Sequence, residues 1–246
     1  MKKFFYLVIA LAMCASNAQA FEFENEPESG FSFMGLFGLN ISNLQNHEYG
    51  TKVGALMGAR AEFMLPNAHG TYLTAGFDWT MKGGKGHFVL PLDPLNPLED
   101  KKIDATGKYP LHYFEIPLRV GFRYNFMEEL GVYAEVGPYF AIGIGGNHKV
   151  SSGEDGSTFR QAEDLQSYKV FKNYGYPTES FQRWDSGIGF RIGTEYNQHY
   201  NLMFGCDWGL ADIYRVSLRD AYFDKNGEHL PKVHNFNFSI TFGYRF

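Results

Sequence analysis

Apolar and polar residues alternate with a period of two along eight stretches of the chain, the spacing of strands whose successive side chains face opposite sides of a sheet. The first predicted strand sets Phe31, Phe33, Phe37, Leu39 and Ile41 on one parity, with Ser32, Asn40 and Ser42 on the other. The second places Val53, Ala55, Met57, Ala59, Ala61 and Phe63 against Gly54, Gly58, Arg60 and Glu62, and the third places Leu73, Ala75, Phe77, Trp79 and Met81 against Tyr72, Thr74, Asp78 and Lys82. The fourth opposes Phe114, Ile116, Leu118, Val120, Phe122 and Tyr124 to Tyr113, Glu115, Arg119 and Arg123. The fifth opposes Val132, Ala134, Val136, Phe140 and Ile142 to Tyr133, Glu135 and Tyr139. In the sixth, Trp184, Ile188, Phe190, Ile192 and Tyr196 face away from Arg183, Asp185, Arg191 and Glu195. In the seventh, Tyr200, Leu202, Phe204, Cys206, Trp208 and Leu210 face away from Asn201 and Asp207. The eighth is the most regular: Phe236, Phe238, Ile240, Phe242, Tyr244 and Phe246 alternate with Asn235, Asn237, Ser239, Thr241, Gly243 and Arg245.

The connections alternate in length. Short ones are expected near 65–70, 127–131 and 197–199, and long ones near 43–51, 83–110, 147–181 and 211–232. Short periplasmic turns with longer extracellular loops are the pattern of outer-membrane barrels, and this order puts both termini in the periplasm. A soluble barrel with an apolar interior would show the same period, so alternation alone does not say which face points inward. Three features favour the membrane. The apolar faces run about 10 to 13 residues, the length a tilted strand needs to cross a bilayer, where ordinary strands average about 5 or 6. Trp79, Trp184 and Trp208 fall near one end of their strands and Tyr124, Tyr196, Tyr200 and Tyr244 near the other, as two aromatic girdles would. The polar faces carry seven cations, Arg60, Lys82, Arg119, Arg123, Arg183, Arg191 and Arg245, and seven anions, Glu62, Asp78, Glu115, Glu135, Asp185, Glu195 and Asp207. Such a balanced set suits a narrow lumen, where an unpaired charge is costly. The expected fold is an all-β, eight-stranded antiparallel up-and-down transmembrane β-barrel over residues 31–246.

Residues 1–20 read as a signal peptide: Lys2 and Lys3 precede an apolar run from Phe4 to Met13, and Ala18-Gln19-Ala20 offers a cleavage site before Phe21. Cys14 raises a lipoprotein reading, against which Met13 stands where a small residue is expected. Removing the signal takes away two lysines, so 22 basic and 27 acidic residues become 20 and 27, a net charge of −7. No nucleic-acid partner is expected at that charge. Cys206 is then the one remaining cysteine, which excludes an internal disulfide framework. Residues 21–30 form a short acidic arm with Glu22, Glu24, Glu26 and Glu28, a periplasmic leader or a contact for a periplasmic partner. Pro117 and Pro138 lack ladder donors and fall within a few residues of each other across one hairpin, where a shared bulge or local break is expected.

Tyr113-Phe114-Glu115-Ile116-Pro117-Leu118, Gly137-Pro138-Tyr139, Asp185-Ser186-Gly187-Ile188-Gly189, Gly193-Thr194-Glu195-Tyr196 and the closing Phe242-Gly243-Tyr244-Arg245-Phe246, with Gly38-Leu39-Asn40-Ile41-Ser42, resemble the PorT-like outer-membrane β-barrel family of Gram-negative bacteria. The resemblance spans nearly all of the mature chain and implies a barrel wall, a porin-like label and a link to secretion, without a catalytic signature. Phe242, Tyr244 and Phe246 match the aromatic C-terminal signal that the barrel assembly machinery reads in such proteins.

Function is expected on the loops. The Pro-Leu repeat of Pro91 to Leu98 suits a polyproline II ribbon with Leu92, Leu95 and Leu98 along one edge, a partner-binding surface or a loop packed on its neighbours. Eight strands enclose an interior that side chains can fill. The leading reading is therefore a monomeric, non-enzymatic barrel with a structural or partner-binding role, in contact with outer-membrane lipid. A small-solute channel is the second reading, and a barrel enzyme acting on lipid or peptide the third. No cofactor or metal is expected: the eight histidines form no pair with metal-site spacing, and only His112, near Glu115, invites a test.

Overall fold

The computed structural model describes residues 30–46, 50–91, 102–152, 164–171, 181–214, 227 and 231–246. The signal segment, the acidic arm up to residue 29 and the ribbon of Leu92, Leu95 and Leu98 lie outside the described residues. The named elements are all strands: β1 Gly30–Gln45, β2 Lys52–Met64, β3 Thr71–Pro91, β4 Lys102–Asn125, β5 Leu130–Ser152, β6 Asp164–Lys169, β7 Trp184–Tyr196, β8 Tyr200–Gly209 and β9 His234–Arg245.

Eight of them close a ring of antiparallel neighbours. β1 pairs with β2 and, from Met34↔Arg245 to Gln45↔His234, with β9. β2–β3, β3–β4, β4–β5, β5–β7, β7–β8 and β8–β9 complete the circuit. Closure leaves no strand edge in the wall, which a sheet surrounded by hydrocarbon requires. β6 stands outside the ring and pairs with the far end of β5. The connections 65–70, 126–129 and 197–199 are short and share one end of the ring, here the short-turn end.

At the opposite, long-loop end the wall rises well beyond the ring. β3 and β4 stay paired from Gly83↔Pro110 to Pro91↔Lys102, so most of 83–110, expected as a loop, is a hairpin. β5 extends beside it from Leu111↔Gly146 to Ala105↔Ser152, and β6 adds a fourth strand within 147–181. This stretch carries Gly83, Gly84 and Gly86 around Lys85 and lacks the apolar alternation that marks a strand, so pattern reading passes over it. Gly83 adopts φ 132, and a Cβ there would sit 1.7 Å from the Tyr109 carbonyl oxygen, so no larger residue fits the close approach of β3 to β4.

The two prolines interrupt the ladder without shifting it. β3–β4 pairing lapses between Ala75↔Leu118 and Asp78↔Glu115, and β4–β5 pairing lapses between Pro117↔Tyr139 and Val120↔Val136, with the register unchanged on either side. The local break is present, and the bulge lies elsewhere, where the register shifts between His112↔Gly145 and Tyr113↔Gly143.

The polar parity faces inward. Arg191 is 1% exposed and Lys82 and Asp78 are fully covered, whereas Phe37 is 63% exposed and Phe33, Phe77, Phe140, Phe190 and Phe204 share the outer face with it. The inner face of β1 and β2 departs from the polar pattern: Met34, Leu36, Leu56 and Met64 point inward and pack with Met203, Tyr72 and Tyr133. These apolar side chains lie among the charges, with Arg60 and Glu62 between Leu56 and Met64 on β2.

Candidate functional site

Strand alternation sends every second side chain of the ring into one narrow space, and the ionisable ones sort into three layers along the axis. At the short-turn end, Glu62 Oε2 accepts from Arg123 Nη2 at 2.8 Å and from Arg245 Nη2 at 2.7 Å. Glu195 Oε2 accepts from Arg245 Nη1 and lies 3.4 Å from Arg123 Nε, which closes a square of two cations and two anions. The Arg123 guanidinium also lies over the Tyr72 ring, 4.7 Å from its centroid.

The middle layer holds three arginines and three carboxylates. Arg191 grips Asp207 with both terminal nitrogens, at 2.7 and 2.8 Å, the bidentate geometry that a planar guanidinium favours. Arg60 reaches Asp78 at 3.3 Å and Glu135 at 3.4 Å. Arg119 lies between Glu135 and Asp207 at 3.9 and 3.8 Å, ion-pair distances longer than hydrogen bonds. Tyr72 donates its hydroxyl to Glu135 Oε1 at 2.9 Å and so joins the two layers.

In the third layer one cation serves two carboxylates: Lys82 Nζ lies 2.8 Å from Glu115 Oε2 and 3.7 Å from Asp185 Oδ2. Asn235 Nδ2 donates to the same Asp185 oxygen at 2.8 Å, and Lys82 sits 4.4 Å from the centroid of the Tyr139 ring. Arg183 does not join. It precedes β7, its side chain is exposed, and its Nη1 donates to the Gly143 carbonyl at 3.3 Å. Parity alone places it inward, but the ring pairing ends one residue later, at Ile142↔Trp184, so nothing confines its side chain to the lumen. The interior thus holds six of the seven expected cations, all seven carboxylates and no Arg183.

Above the third layer the interior is closed by apolar side chains. Leu44, Tyr109, Leu111, Tyr113, Tyr139 and Ala141 come from the strands, and Val170, Phe171, Phe181, Ile213 and Val233 come from the loops. The loops are held in place by backbone bonds: Phe181 N donates to Val170 O at 3.1 Å, Gln182 N to Ile213 O at 2.7 Å and Ile213 N to Val233 O at 2.9 Å. Tyr109 stacks on His148 at 4.2 Å, and Phe181 stacks on Tyr214 at 5.5 Å. Sequence reading missed this cap, because its loop members sit in segments without periodicity.

It also missed the seats. Tyr72, Tyr133, Tyr139 and Arg191 each lie opposite a glycine of the neighbouring strand, Gly121, Gly193, Gly187 and Gly205. A Cβ on Gly121 would fall 2.4 Å from the Tyr72 ring, and one on Gly205 the same distance from the Arg191 side chain. The signal was available in the inward parity of these glycines.

Trp79, Trp184 and Trp208 stand on the outer face toward the long-loop end, and Tyr124, Tyr196, Tyr200 and Tyr244 stand on it at the short-turn end. Tyr244 packs edge-on against Phe246 at 5.2 Å, and Phe246 N donates to Phe33 O at 2.9 Å, which fastens the chain end to β1. Phe242 lies 5.7 Å from Phe37 across the same seam. His112 stacks on Trp79 at 5.6 Å on the outer face, whereas Glu115 faces inward, so the two do not form a site. Among the described residues no cluster of three or more His, Cys, Asp or Glu could hold a metal ion.

Chemically the layers tie strands together: each of the seven carboxylates lies within ion-pair distance of a cation, and removing one partner would strand a charge at low dielectric. No curated protein matches the sequence. Solved structures with similar geometry include Ail, the attachment invasion locus protein of Yersinia pestis, at 14% identity and TM-score 0.41 over 89% of this chain and 100% of that one. Neisserial surface protein A is similar at 11% identity and TM-score 0.42, over 90% and 100%. OprG from Pseudomonas aeruginosa is similar at 11% identity and TM-score 0.37, over 92% and 99%. The family model described as the outer membrane protein beta-barrel domain matches residues 6–246. With its closed eight-stranded ring, inward charges and outward aromatics, the chain belongs to that family and is a protein of the outer membrane.

Proposed function

We propose that the protein is a closed, non-enzymatic barrel that anchors a surface structure in the outer membrane and passes no solute through its centre. The observation that carries this reading is the apolar cap above three ionic layers, which together occupy the interior from the short-turn end to the loops. A solute would have to break paired charges and then part an aromatic cluster. The six cations and seven carboxylates of the interior act in this reading as a strand-binding network, with Arg60, Arg119 and Arg191 at its centre.

Export by a signal peptide over residues 1–20 fits the membrane it occupies. The short connections 126–129 and 197–199 support a periplasmic short-turn end, with both chain termini on that side and the cap and paired extensions facing outward from the cell. The tryptophan and tyrosine belts then mark the two membrane boundaries, and Phe242, Tyr244 and Phe246 present the assembly signal. Kinship with the PorT-like branch rests on the motifs quoted above. A secretion-associated or other partner-binding role belongs to the loop end, where Leu92, Leu95 and Leu98 are candidates.

Planar-bilayer recording of the purified, refolded protein tests the closed interior. Silence across the ordinary voltage range is expected, and stable unitary conductance would replace this reading with a channel.

A further inference from the structure

The charges inside the ring do not cancel. Among the described residues the interior buries six cations and seven carboxylates, so one negative charge is left over. Two of the three layers are even. The short-turn layer sets Arg123 and Arg245 against Glu62 and Glu195. The middle layer sets Arg60, Arg119 and Arg191 against Asp78, Glu135 and Asp207. The third layer sets Lys82 alone against Glu115 and Asp185, both 2% exposed, and the surplus therefore lies there, directly beneath the apolar cap. A charge left without a counter-charge at this burial is strongly unfavourable and draws a compensating one.

The surplus coincides with oxygens whose bonding capacity is unused. Asn235 Nδ2 donates to Asp185 Oδ2 at 2.8 Å, and the Tyr139 hydroxyl and Lys82 Nζ approach the same oxygen at 3.4 and 3.7 Å. Three donors thus converge on one oxygen of the carboxylate. The other, Asp185 Oδ1, makes no hydrogen bond among the described residues, and neither does Asn235 Oδ1, on an amide that is 1% exposed. Tyr113, fully covered, brings its hydroxyl beside this pair. The three oxygens come from β4, β7 and β9, next to Lys82 of β3 and Tyr139 of β5. Unmet acceptors at low dielectric are costly, and here they stand beside a carboxylate in surplus.

A carboxylate, an amide carbonyl and a phenol are hard oxygen donors, suited to alkali and alkaline-earth ions, and they lack the imidazole and thiolate of a transition-metal centre. Charge chooses between the two groups of ions. A monovalent ion brings the interior to neutrality, whereas a divalent one leaves it as unbalanced as before, with the opposite sign. We propose that the third layer binds one monovalent inorganic cation, sodium or potassium, between Asp185 Oδ1, Asn235 Oδ1 and Tyr113 Oη. Held under the cap, the ion is taken up on folding and stabilises the barrel by binding the folded chain alone.

The test uses the full refolded protein in zwitterionic micelles. Equilibrium dialysis against radioactive sodium, and separately against radioactive rubidium as a potassium substitute, is expected to find one ion per barrel. In denaturant titrations at fixed ionic strength, with N-methylglucamine as the balancing cation, the unfolding constant is expected to fall about 10-fold for each 10-fold rise in the alkali ion above its dissociation constant. Glu115→Gln and Asp185→Asn each leave six charges of either sign, and both are expected to hold no ion and to be indifferent to the cation supplied. Asn235→Leu keeps the charge but removes a donor, and shifts the dialysis curve to higher concentration. No bound ion in the unaltered protein, equal stability in N-methylglucamine and alkali salts, a response that Glu115→Gln retains in full, or unchanged binding by Asn235→Leu overturns the site. Stability that follows pH at constant cation, with no ion bound, assigns the compensating charge to a proton and overturns it too. If Asp185→Asn fails to refold, the unaltered protein and Glu115→Gln still decide.

Discussion

Glu62 on β2 and Arg245 on β9 meet at 2.7 Å although 183 positions separate them in sequence. Both strands flank β1, so the pair reaches across its inner face. That reach is open because β1 turns the slender Met34 and Leu36 inward there, and the Met34 sulfur lies over Gly243, 2.5 Å from where a Cβ would be. The ion pair thus ties the second strand to the last behind the first, in addition to the ladders that join β1 to each of them.

Breaking the clamp is expected to be costly. Arg245→Leu leaves Glu62 and Glu195 to share Arg123, and truncating one member of a buried ionic set costs about 3–5 kcal/mol. Denaturant titration of the refolded variant measures it, with an earlier midpoint and an unchanged slope as the expected result.

The glycine seats predict a different defect. Gly121→Val drives a side chain into the Tyr72 ring and displaces the hydroxyl that Glu135 accepts from. Overpacking of this kind costs about 1–3 kcal/mol. Combining it with Tyr72→Ala should recover part of the loss in the same titration, since the added bulk then has somewhere to go.

At the cap, Phe181→Ala removes a fully buried ring that touches Tyr109 and Tyr214. A cost of about 3–5 kcal/mol is expected for such a truncation, localised to the loops. Limited proteolysis of the embedded protein should then cut at the loop end faster, while the gel-mobility shift of the folded barrel survives.

The three tryptophans predict an optical signature. Trp184 is 68% and Trp208 58% exposed on the outer face, and Trp79 stands beside His112 at a matching level. Lipids brominated near the head group should quench the emission more strongly than lipids brominated at the chain ends. The reverse order would remove these residues from the boundary.

The ring and its facing were legible because alternation reports directly on two unlike environments, and each outward Phe and inward Arg was assigned by parity alone. Legibility failed where parity ceased to mean facing. Met34, Leu36 and Leu56 are apolar and inward, because they pack with Met203, Tyr72 and Tyr133 among the charges. Arg183 has the inward parity but sits just outside the ring pairing. The extension from Gly83 and the cap members Val170, Phe171, Phe181 and Ile213 are set by tertiary pairing and loop packing, which leave no period in the sequence. Six of the seven cations and all seven carboxylates of inward parity lie in the interior, so the even balance read from parity is not kept there. The layering of these charges depends on stagger between strands, which sequence does not record.

Of all measurements, a nitroxide scan along β9 tests the central claim most directly. Single cysteines at 236 to 245, in a Cys206→Ser background, are labelled and their collision rates with oxygen and with an aqueous nickel chelate compared in bilayers. The account predicts a strict period of two, with oxygen favoured at Phe238, Ile240, Phe242 and Tyr244, and low access to both reagents at Asn237, Ser239, Thr241 and Arg245, inside a packed interior. High nickel access at the second set would show an open, wetted lumen, and oxygen preference there instead would turn the barrel inside out.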